Sequence, residues 1–230
     1  NVSLTANATY NDSILTSWLP VVVPVTVSTI DVKSGRITAS GTLDLKATSL
    51  IDVSTSGLSP LGSIVATSVA TVDVTGASVL AAGGNTTLAS SSTVTSKATP
   101  GGPNLTTLPG DAGVAINVVV STAKTHVGDT SSVTATGGTL DLTAKNAVTA
   151  TTKADSTAGG AVAVGGTVAL SEVTSVTQAI IDGTATTSSS ALKVAAESTN
   201  VVTTTAKAAT KGAKKQTAAE KSAAPSKSEE

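Results

Sequence analysis

The sequence predicts an all-β protein folded as a parallel β-helix (β-solenoid) of about four imperfect 50-residue units, with an antiparallel β-sandwich as the fallback. Three observations predict this fold. The 230 residues include 42 Thr, 30 Ser and 29 Val, and β-branched side chains fit the pleated surface of a strand. Similar motifs recur at intervals of about 54 residues. Gly-containing turns separate runs in which apolar and polar residues alternate.

The repeat is visible where an apolar residue precedes a Gly by four positions and a Leu-containing run follows. The string GTLDL occurs twice, at residues 41–45 and 138–142. The aligned copies, of which the last is degenerate, cover residues 37–47, 79–89, 133–144 and 188–196. Each copy therefore predicts one structural unit that stacks on the next.

Lys-Ala pairs provide a second landmark. They occur at Lys97, Lys153 and Lys207, with spacings of 56 and 54 residues, and each follows a Thr- or Ser-rich run. Two landmarks with nearly one period favour a true repeat over chance similarity within a biased composition. We expect both landmarks to mark the same register of stacking.

Each unit is predicted to contain short strands joined by turns. Residues 114–120 (VAINVVV) indicate a strand with limited solvent contact. Leu140 and Leu142 share one face of a second strand, while Asp141 and Thr143 lie on the other. We expect strands of about three to seven residues, and two coils of roughly 20 to 25 residues in each unit. Apolar ladders would then lie inside the solenoid and Thr and Ser ladders outside.

The composition excludes several classes of protein. The chain has no Cys, which excludes a disulfide scaffold, a thiol enzyme, a Cys-based zinc site and an iron–sulfur protein. A net charge of −1 provides no electrostatic footprint for nucleic acid. The apolar stretch at residues 19–25 is too short to span a bilayer and contains two prolines, so no membrane span is predicted.

The phrases GRITASGTLDLKATS (35–49) and VTATGGTLDLTAKNAVTATTKADSTAGGAVAVGG (133–166) resemble the repeats of giant bacterial surface proteins of the filamentous-haemagglutinin-like adhesin kind. The resemblance covers about residues 28–212. It implies a right-handed parallel β-helix shaft with a structural or adhesive role at the cell surface. Asn-rich ladders, which are typical of many such shafts, are sparse here, and no receptor-binding loop matches.

The two ends of the chain differ from the repeats. Residues 1–27 are predicted to be an N-terminal capping or leading segment, in which Trp18 covers the apolar interior. An ordinary strand before the first coil and a docking site for another subunit are the alternatives. Residues 213–230 contain Ala, Lys, Ser and Glu without Val, Leu or Ile, which predicts a flexible tail.

No residue pattern indicates catalysis or a bound cofactor, so the chain is predicted not to be an enzyme. His126 is the sole His; a role as general base needs a partner such as Asp129, and we expect an exposed, solitary side chain. Asp44 and Asp141 are expected at equivalent outward positions, two units apart along the shaft. Asp129 and Asp182, which lie in Gly-Asp and Asp-Gly turns, are weak candidates for a calcium site.

Five Asn residues begin N-x-Ser/Thr triplets and are candidates for glycosylation: Asn1, Asn7, Asn11, Asn85 and Asn104.

The function predicted from these observations is that of a non-catalytic structural or adhesive segment of a secreted surface filament. Its expected partners are other subunits or segments of the filament, and surface glycans. One alternative is a binding module that presents a Thr array to ice or a polysaccharide. Another alternative is a subunit that assembles itself into an extracellular filament through the ends of the solenoid.

Overall fold

The computed structural model describes residues 1–15, 21–57, 61–100, 110–159, 164–188 and 191–211. The regular secondary structure of these residues consists of fourteen β-strands. In chain order they are β1 (Val2–Leu15), β2 (Val21–Val22), β3 (Val25–Lys33), β4 (Arg36–Ala39), β5 (Leu43–Gly57), β6 (Leu61–Thr75), β7 (Val79–Ala82), β8 (Thr86–Pro100), β9 (Gly110–Val127), β10 (Ser132–Ala135), β11 (Leu140–Gly159), β12 (Val164–Ile181), β13 (Thr184–Thr187) and β14 (Leu192–Lys211).

The strands form three parallel sheets that the chain visits in turn. Sheet A has the order β1-β5-β8-β11-β14, sheet B contains β12-β9-β6 followed by β2 and β3, and sheet C has the order β13-β10-β7-β4. One circuit through A, B and C is called a rung, so β1–β4 make rung 1 and β14 opens rung 5. Every described strand pair is parallel. The predicted β-solenoid is thus confirmed.

The size of the coil differs from the prediction. Leu43 pairs with Thr86, Thr86 with Leu140, and Leu140 with Leu192, so successive rungs are offset by 43, 54 and 52 residues. The expectation of two coils per unit is wrong, because a whole unit forms one rung. The strands of sheets A and B reach 20 and 18 residues, and only those of sheet C match the short strands expected. Alternation of inward and outward residues continues through the Thr- and Ser-rich runs, so these runs extend strands instead of ending them.

The register confirms one sequence landmark and corrects the other. The two GTLDL copies stack two rungs apart, with Thr86 and Leu88 between their leucines. Lys97, however, pairs with Thr151 and not with Lys153. The Lys-Ala pair moves two residues along the strand from rung to rung. A shift of two residues preserves the inward or outward direction of each side chain. Successive Lys-Ala pairs therefore point the same way but do not stack on one another.

The first strand of the N-terminal segment belongs to the stack of rungs. β1 pairs along its whole length with β5, from Val2–Leu43 to Leu15–Ser56, and therefore forms the sheet A strand of rung 1. The alternative of an ordinary strand is the one that the structure supports for these residues. Trp18 and residues 213–230 lie outside the described residues.

The interior contains two apolar clusters. Leu residues dominate the cluster that lies against sheet C, where Leu43, Leu45, Leu80, Leu88, Leu140 and Leu142 are fully buried. The second cluster lies farther from sheet C, between sheets A and B, and includes Ile51, Ile64 and Val94. Small aliphatic side chains thus fill the space between two wide sheets, as the near absence of aromatic residues requires.

A column of buried polar side chains runs between the two apolar clusters, so Thr and Ser lie inside as well as on the outer face where they were predicted. The column alternates between sheets B and A, and its neighbouring side chains are hydrogen-bonded at 2.6–2.8 Å. This hydroxyl column consists of Thr26, Ser49, Ser68, Ser92, Ser121 and Asn146. Alternation alone does not reveal it, because Ser and Thr occupy both faces of the same strands.

The hydrogen bonds of the hydroxyl column have one direction. The Asn146 side-chain oxygen only accepts, so Ser121 donates to it at 2.6 Å. Since a hydroxyl carries one proton, Ser92 then donates to Ser121, and the same reasoning extends back through the column to Thr26. The Asn146 amide nitrogen donates in return to the Ser121 carbonyl at 2.9 Å. Aligned hydroxyls polarise one another, which strengthens each bond in a buried setting.

Close backbone contact explains why Gly recurs at the corner between sheets C and A. A Cβ atom added to Gly137 would overlap the carbonyl oxygen of Gly83, and one added to Gly83 would overlap the carbonyl oxygen of Ser40. At these two positions the rungs stack too closely for a side chain. The Gly found there is therefore a consequence of stacking.

Candidate functional site

The outer face of sheet A is mainly polar and is called the hydroxyl face. Its outward side chains come from five strands and include Thr48, Thr93, Thr95, Thr149, Thr151 and Thr203. Parallel strands lie about 4.8 Å apart, and outward residues on one strand are about 6.6 Å apart. This spacing makes the face a two-dimensional lattice of side chains.

The Thr lattice is irregular. Thr95 stacks on Thr149, but Val201 follows in the same column. Thr151 stacks on Thr203, whereas the preceding position is Lys97. A surface that matches a crystal needs the same group at each lattice point, so this face provides only local Thr pairs.

Two shallow depressions of about 200 and 260 Å³ lie on the hydroxyl face. Ser91 and Lys145 line both, and Glu197 lines the first. The Lys145 ammonium pairs with the Glu197 carboxylate at 3.2 Å, and both side chains are more than half exposed. An exposed pair of this kind contributes little to stability, and the outward hydroxyl groups of Ser91, Thr93 and Thr199 line the same depression.

His126 is neither solitary nor exposed, which corrects the prediction for this residue. Its Nδ1 lies 2.7 Å from Oδ1 of Asp73, and its Nε2 lies 3.1 Å from Oδ2 of Asp182. The His126 side chain is 16% exposed. The three residues belong to rungs 2, 3 and 4, so this histidine clasp joins three consecutive rungs on the outside of sheet B.

The partners of His126 are set by the register. Asp73 pairs directly with His126 in the β6–β9 ladder, and Asp182 follows the last pair of the β9–β12 ladder. The partner suggested from the sequence, Asp129, is absent from the contacts of the clasp. A spacing close to one rung was the available signal, since Asp73 precedes His126 by 53 residues. With both nitrogens engaged, the ring serves as a bridge between rungs and not as a free base.

A further ion pair extends the charged column to rung 1. Asp31 stacks on Asp73, and the Lys33 ammonium lies 2.7 Å from the Asp31 carboxylate. The hydrogen bond with Asp31, reinforced by the charge of that carboxylate, raises the pKa of Lys33. Both signs of charge therefore meet at this end of sheet B.

The two calcium candidates are not brought together as a cage. Asp129 is exposed in the turn after β9, and Asp182 contacts His126 instead. Among the described residues, no group of three or more His, Asp or Glu side chains is arranged to hold a metal ion.

The two outward carboxylates on sheet A lie where the repeat predicts them. Asp44 and Asp141 each pair with Thr87, from opposite sides, and so stand two rungs apart in one column. They are separated along the shaft by about 9.6 Å.

The candidate Asn residues occupy two settings. Asn7 and Asn11 are exposed on β1. Asn1 and Asn85 lie at the corner before sheet A, where their side-chain oxygens accept hydrogen bonds from the Thr42 and Thr139 amides at 2.9 and 3.0 Å. Each of these two links its rung to the next. Asn104 lies outside the described residues.

No helix that could cross a lipid bilayer occurs in the part of the chain that the structure describes. Comparisons with known proteins yield no match, since no family model, no curated protein and no solved structure is similar to this chain.

Proposed function

We propose that this chain is a non-catalytic structural segment of a secreted bacterial surface filament, in which it acts as a stiff shaft that holds adhesive parts away from the cell. The observation that carries the proposal is the continuous parallel stacking of rungs. Rungs 3 and 4 are joined by ladders of thirteen residue pairs in sheet A, eighteen in sheet B and four in sheet C. Wide ladders of this kind suit a load-bearing element.

Cross-links outside the backbone ladders support the same proposal. The hydroxyl column connects the sheets through the interior, and the histidine clasp connects three rungs on the outside. The Ser78 amide also donates to the Ser131 hydroxyl of the next rung at 3.2 Å. A rung that leaves the stack breaks these bonds together with its backbone ladders.

Single-molecule pulling tests the mechanical role. The chain is placed between two copies of a reference domain of known unfolding force and stretched from its ends. A rung of 54 residues lengthens by about 18 nm when it is drawn out. We expect force peaks at this spacing and above the force of the reference domain. Extension without such peaks would contradict the role as a shaft.

Adhesion is a separate part of the proposal and needs its own assay. Beads coated with the folded chain are passed over arrays of host and bacterial glycans under flow. Retention on a glycan class supports an adhesive role for the segment itself. Strong force peaks without retention assign this segment to the shaft alone.

The hydroxyl face favours a second candidate, a module that binds ice or a polysaccharide. The observation behind it is the pair of stacked Thr couples, Thr95 with Thr149 and Thr151 with Thr203. An ice-recrystallisation assay and a pull-down with insoluble polysaccharides test this candidate. Loss of binding in Thr149→Val and Thr151→Val would support it, and lack of activity in the unsubstituted chain would refute it.

The exposed edges of the described sheets favour a third candidate, a self-assembling filament subunit. Leu192 and Val194 on β14 are 47% and 45% exposed, although they continue an inward column. β1 has 14 residues and β14 has 20, so stacking between chains would leave six residues of β14 without a partner. Electron microscopy at rising concentration separates end-to-end polymers from single rods.

A further inference from the structure

The outer face of sheet B carries an exposed apolar surface. Outward side chains on four rungs form it, and the six most informative are 36% to 58% exposed: Val25, Val27, Leu61, Val120, Val168 and Leu170. Half-buried residues such as Val118 fill the space between them. We call this surface the valine face.

Strand propensity does not explain the valine face. Thr is also β-branched and suits an outward strand position, and sheet A uses it there repeatedly. Among the described outward residues of sheet A, only Leu50 and Val201 are large, apolar and exposed. The two sheets have the same strand geometry but different outer chemistry, so the difference points to a binding surface on sheet B.

The valine face is large enough for a partner. From Leu61 to Val69 it spans eight residue steps, or about 26 Å, and four strands cover about 19 Å. The area is thus about 500 Å² on one molecule. Burial against an equal surface removes about 1,000 Å² from water, which is the lower limit for a specific interface.

We propose that the valine face binds the valine face of a second copy of this chain, with the two shafts side by side and antiparallel. A flat pleated surface is matched best by another pleated surface, at the spacing of about 10 Å that is usual between packed sheets. A two-fold axis parallel to the strands, between β6 and β9, places rung 1 over rung 4 and rung 2 over rung 3. This inference does not rest on the proposed function.

Charge selects the antiparallel arrangement. Glu172 lies at the centre of β12, in register with Val118, and a two-fold axis along the shaft would place two copies of Glu172 opposite each other. With the axis along the strands, Glu172 faces rung 1 of the partner instead. The same axis places Lys33 near Asp182, so opposite charges meet beyond the apolar area, and it places Asp73 opposite His126.

Sedimentation velocity over a range of concentrations tests dimer formation. We expect a reversible monomer–dimer equilibrium, and Val118→Lys should raise its Kd by at least about tenfold, because a charge then lies at the centre of the interface. The matched control is Thr93→Lys, an outward residue of the same rung on sheet A. Circular dichroism shows whether the Val118→Lys variant folds. If it does not, Val118→Thr, which keeps the β-branched shape, replaces it in the sedimentation experiment.

Single cysteines test the arrangement, since the natural chain has none. Val27 and Val176 lie in one column, on rungs 1 and 4. When Val27→Cys and Val176→Cys chains are mixed under mild oxidation, we expect mixed disulfide dimers in excess over either homodimer. Excess homodimers would overturn the antiparallel arrangement. A chain that stays monomeric at all concentrations, or a dimer that Val118→Lys and Thr93→Lys weaken equally, would overturn the proposal and leave the face to another partner.

Discussion

The substitution Ser68→Ala probes the hydroxyl column at its middle. Ser68 is fully buried, accepts a hydrogen bond from Ser49 at 2.8 Å and donates one to Ser92 at 2.7 Å. The substitution removes one oxygen atom and creates almost no cavity. Its effect on stability therefore reports the hydrogen bonds and not the packing.

The direction in which the hydroxyls of the column donate determines how much stability Ser68→Ala loses. Without the Ser68 hydroxyl, the Ser49 proton loses its acceptor and is left with a 3.3 Å contact to the Thr26 carbonyl. Ser92 keeps its own acceptor, Ser121. One buried donor is thus left poorly satisfied, which costs about 1–3 kcal/mol. We expect Ser68→Ala to lower the free energy of unfolding by about 2 kcal/mol.

The double substitution provides a sharper test than either single one. Ser92→Ala alone leaves the Ser68 donor without an acceptor, whereas Ser68→Ala with Ser92→Ala leaves only the Ser49 donor. One unsatisfied donor remains in each of the three variants. The double variant should therefore lose about as much stability as one single variant, a coupling of about 1–2 kcal/mol.

Urea unfolding followed by far-ultraviolet circular dichroism measures these values, provided that the slopes of the transitions agree. Ser63→Ala, on the outward side of the same strand, is the control and should change stability by less than about 0.5 kcal/mol. The reasoning fails if Ser68→Ala lowers the free energy of unfolding no more than Ser63→Ala does. It also fails if the two single effects add in the double variant.

Three other predictions concern the corner, the clasp and the first rung. Gly137→Ala should prevent close stacking and lower the melting temperature, whereas Gly166→Ala, with nothing within 4 Å of the new Cβ, should leave it unchanged or raise it. His126→Gln should destabilise the chain by about 1 kcal/mol in urea unfolding, since two bridges between rungs are lost or weakened. The phenolate absorbance of Tyr10, the sole Tyr, should appear above the ordinary pKa of 10.0, because burial first and Asp12 second raise that pKa. The stabilisation from neutral Tyr10 is complete below pH 10.0 and is lost as pH rises through the pKa of the folded state. Asp12→Asn should lower the midpoint of the absorbance change only in part. A return of the Tyr10 pKa to its ordinary value in this variant would contradict burial as the main cause.

Residue pattern alone identified much of the fold. The recurring Leu positions, such as Leu45, Leu88 and Leu142, do stack in one buried column. The pattern succeeded because inward positions of a solenoid must repeat in chemistry when rungs stack. The pattern did not predict the size of the coil, because a Thr- or Ser-rich run is equally compatible with the end of a strand and with its continuation.

The candidate sites were harder to predict than the fold. The residues that contact His126 lie 53 and 56 positions away in the chain, and only the exact register brings them to it. Asp182 was a weak candidate for a calcium site, yet its observed partner is the imidazole ring. A shift of two residues in register would have placed different side chains beside His126 while preserving the alternation.

The order of residues by itself determined that strands form, that they repeat at nearly one rung, and which side chains of each strand share a face, because alternation and repeat length are properties of the chain. In the Ser- and Thr-rich runs, the tertiary structure alone decided which of those faces is inside. Ser68 and Ser63 are the same residue type on the same strand, but one is buried in a hydrogen-bonded column and the other lies on the outer face. The physical reason is that the cost of burying a hydroxyl depends on whether a partner from the opposite sheet meets it, and that partner is supplied only when two wide sheets close around a common interior.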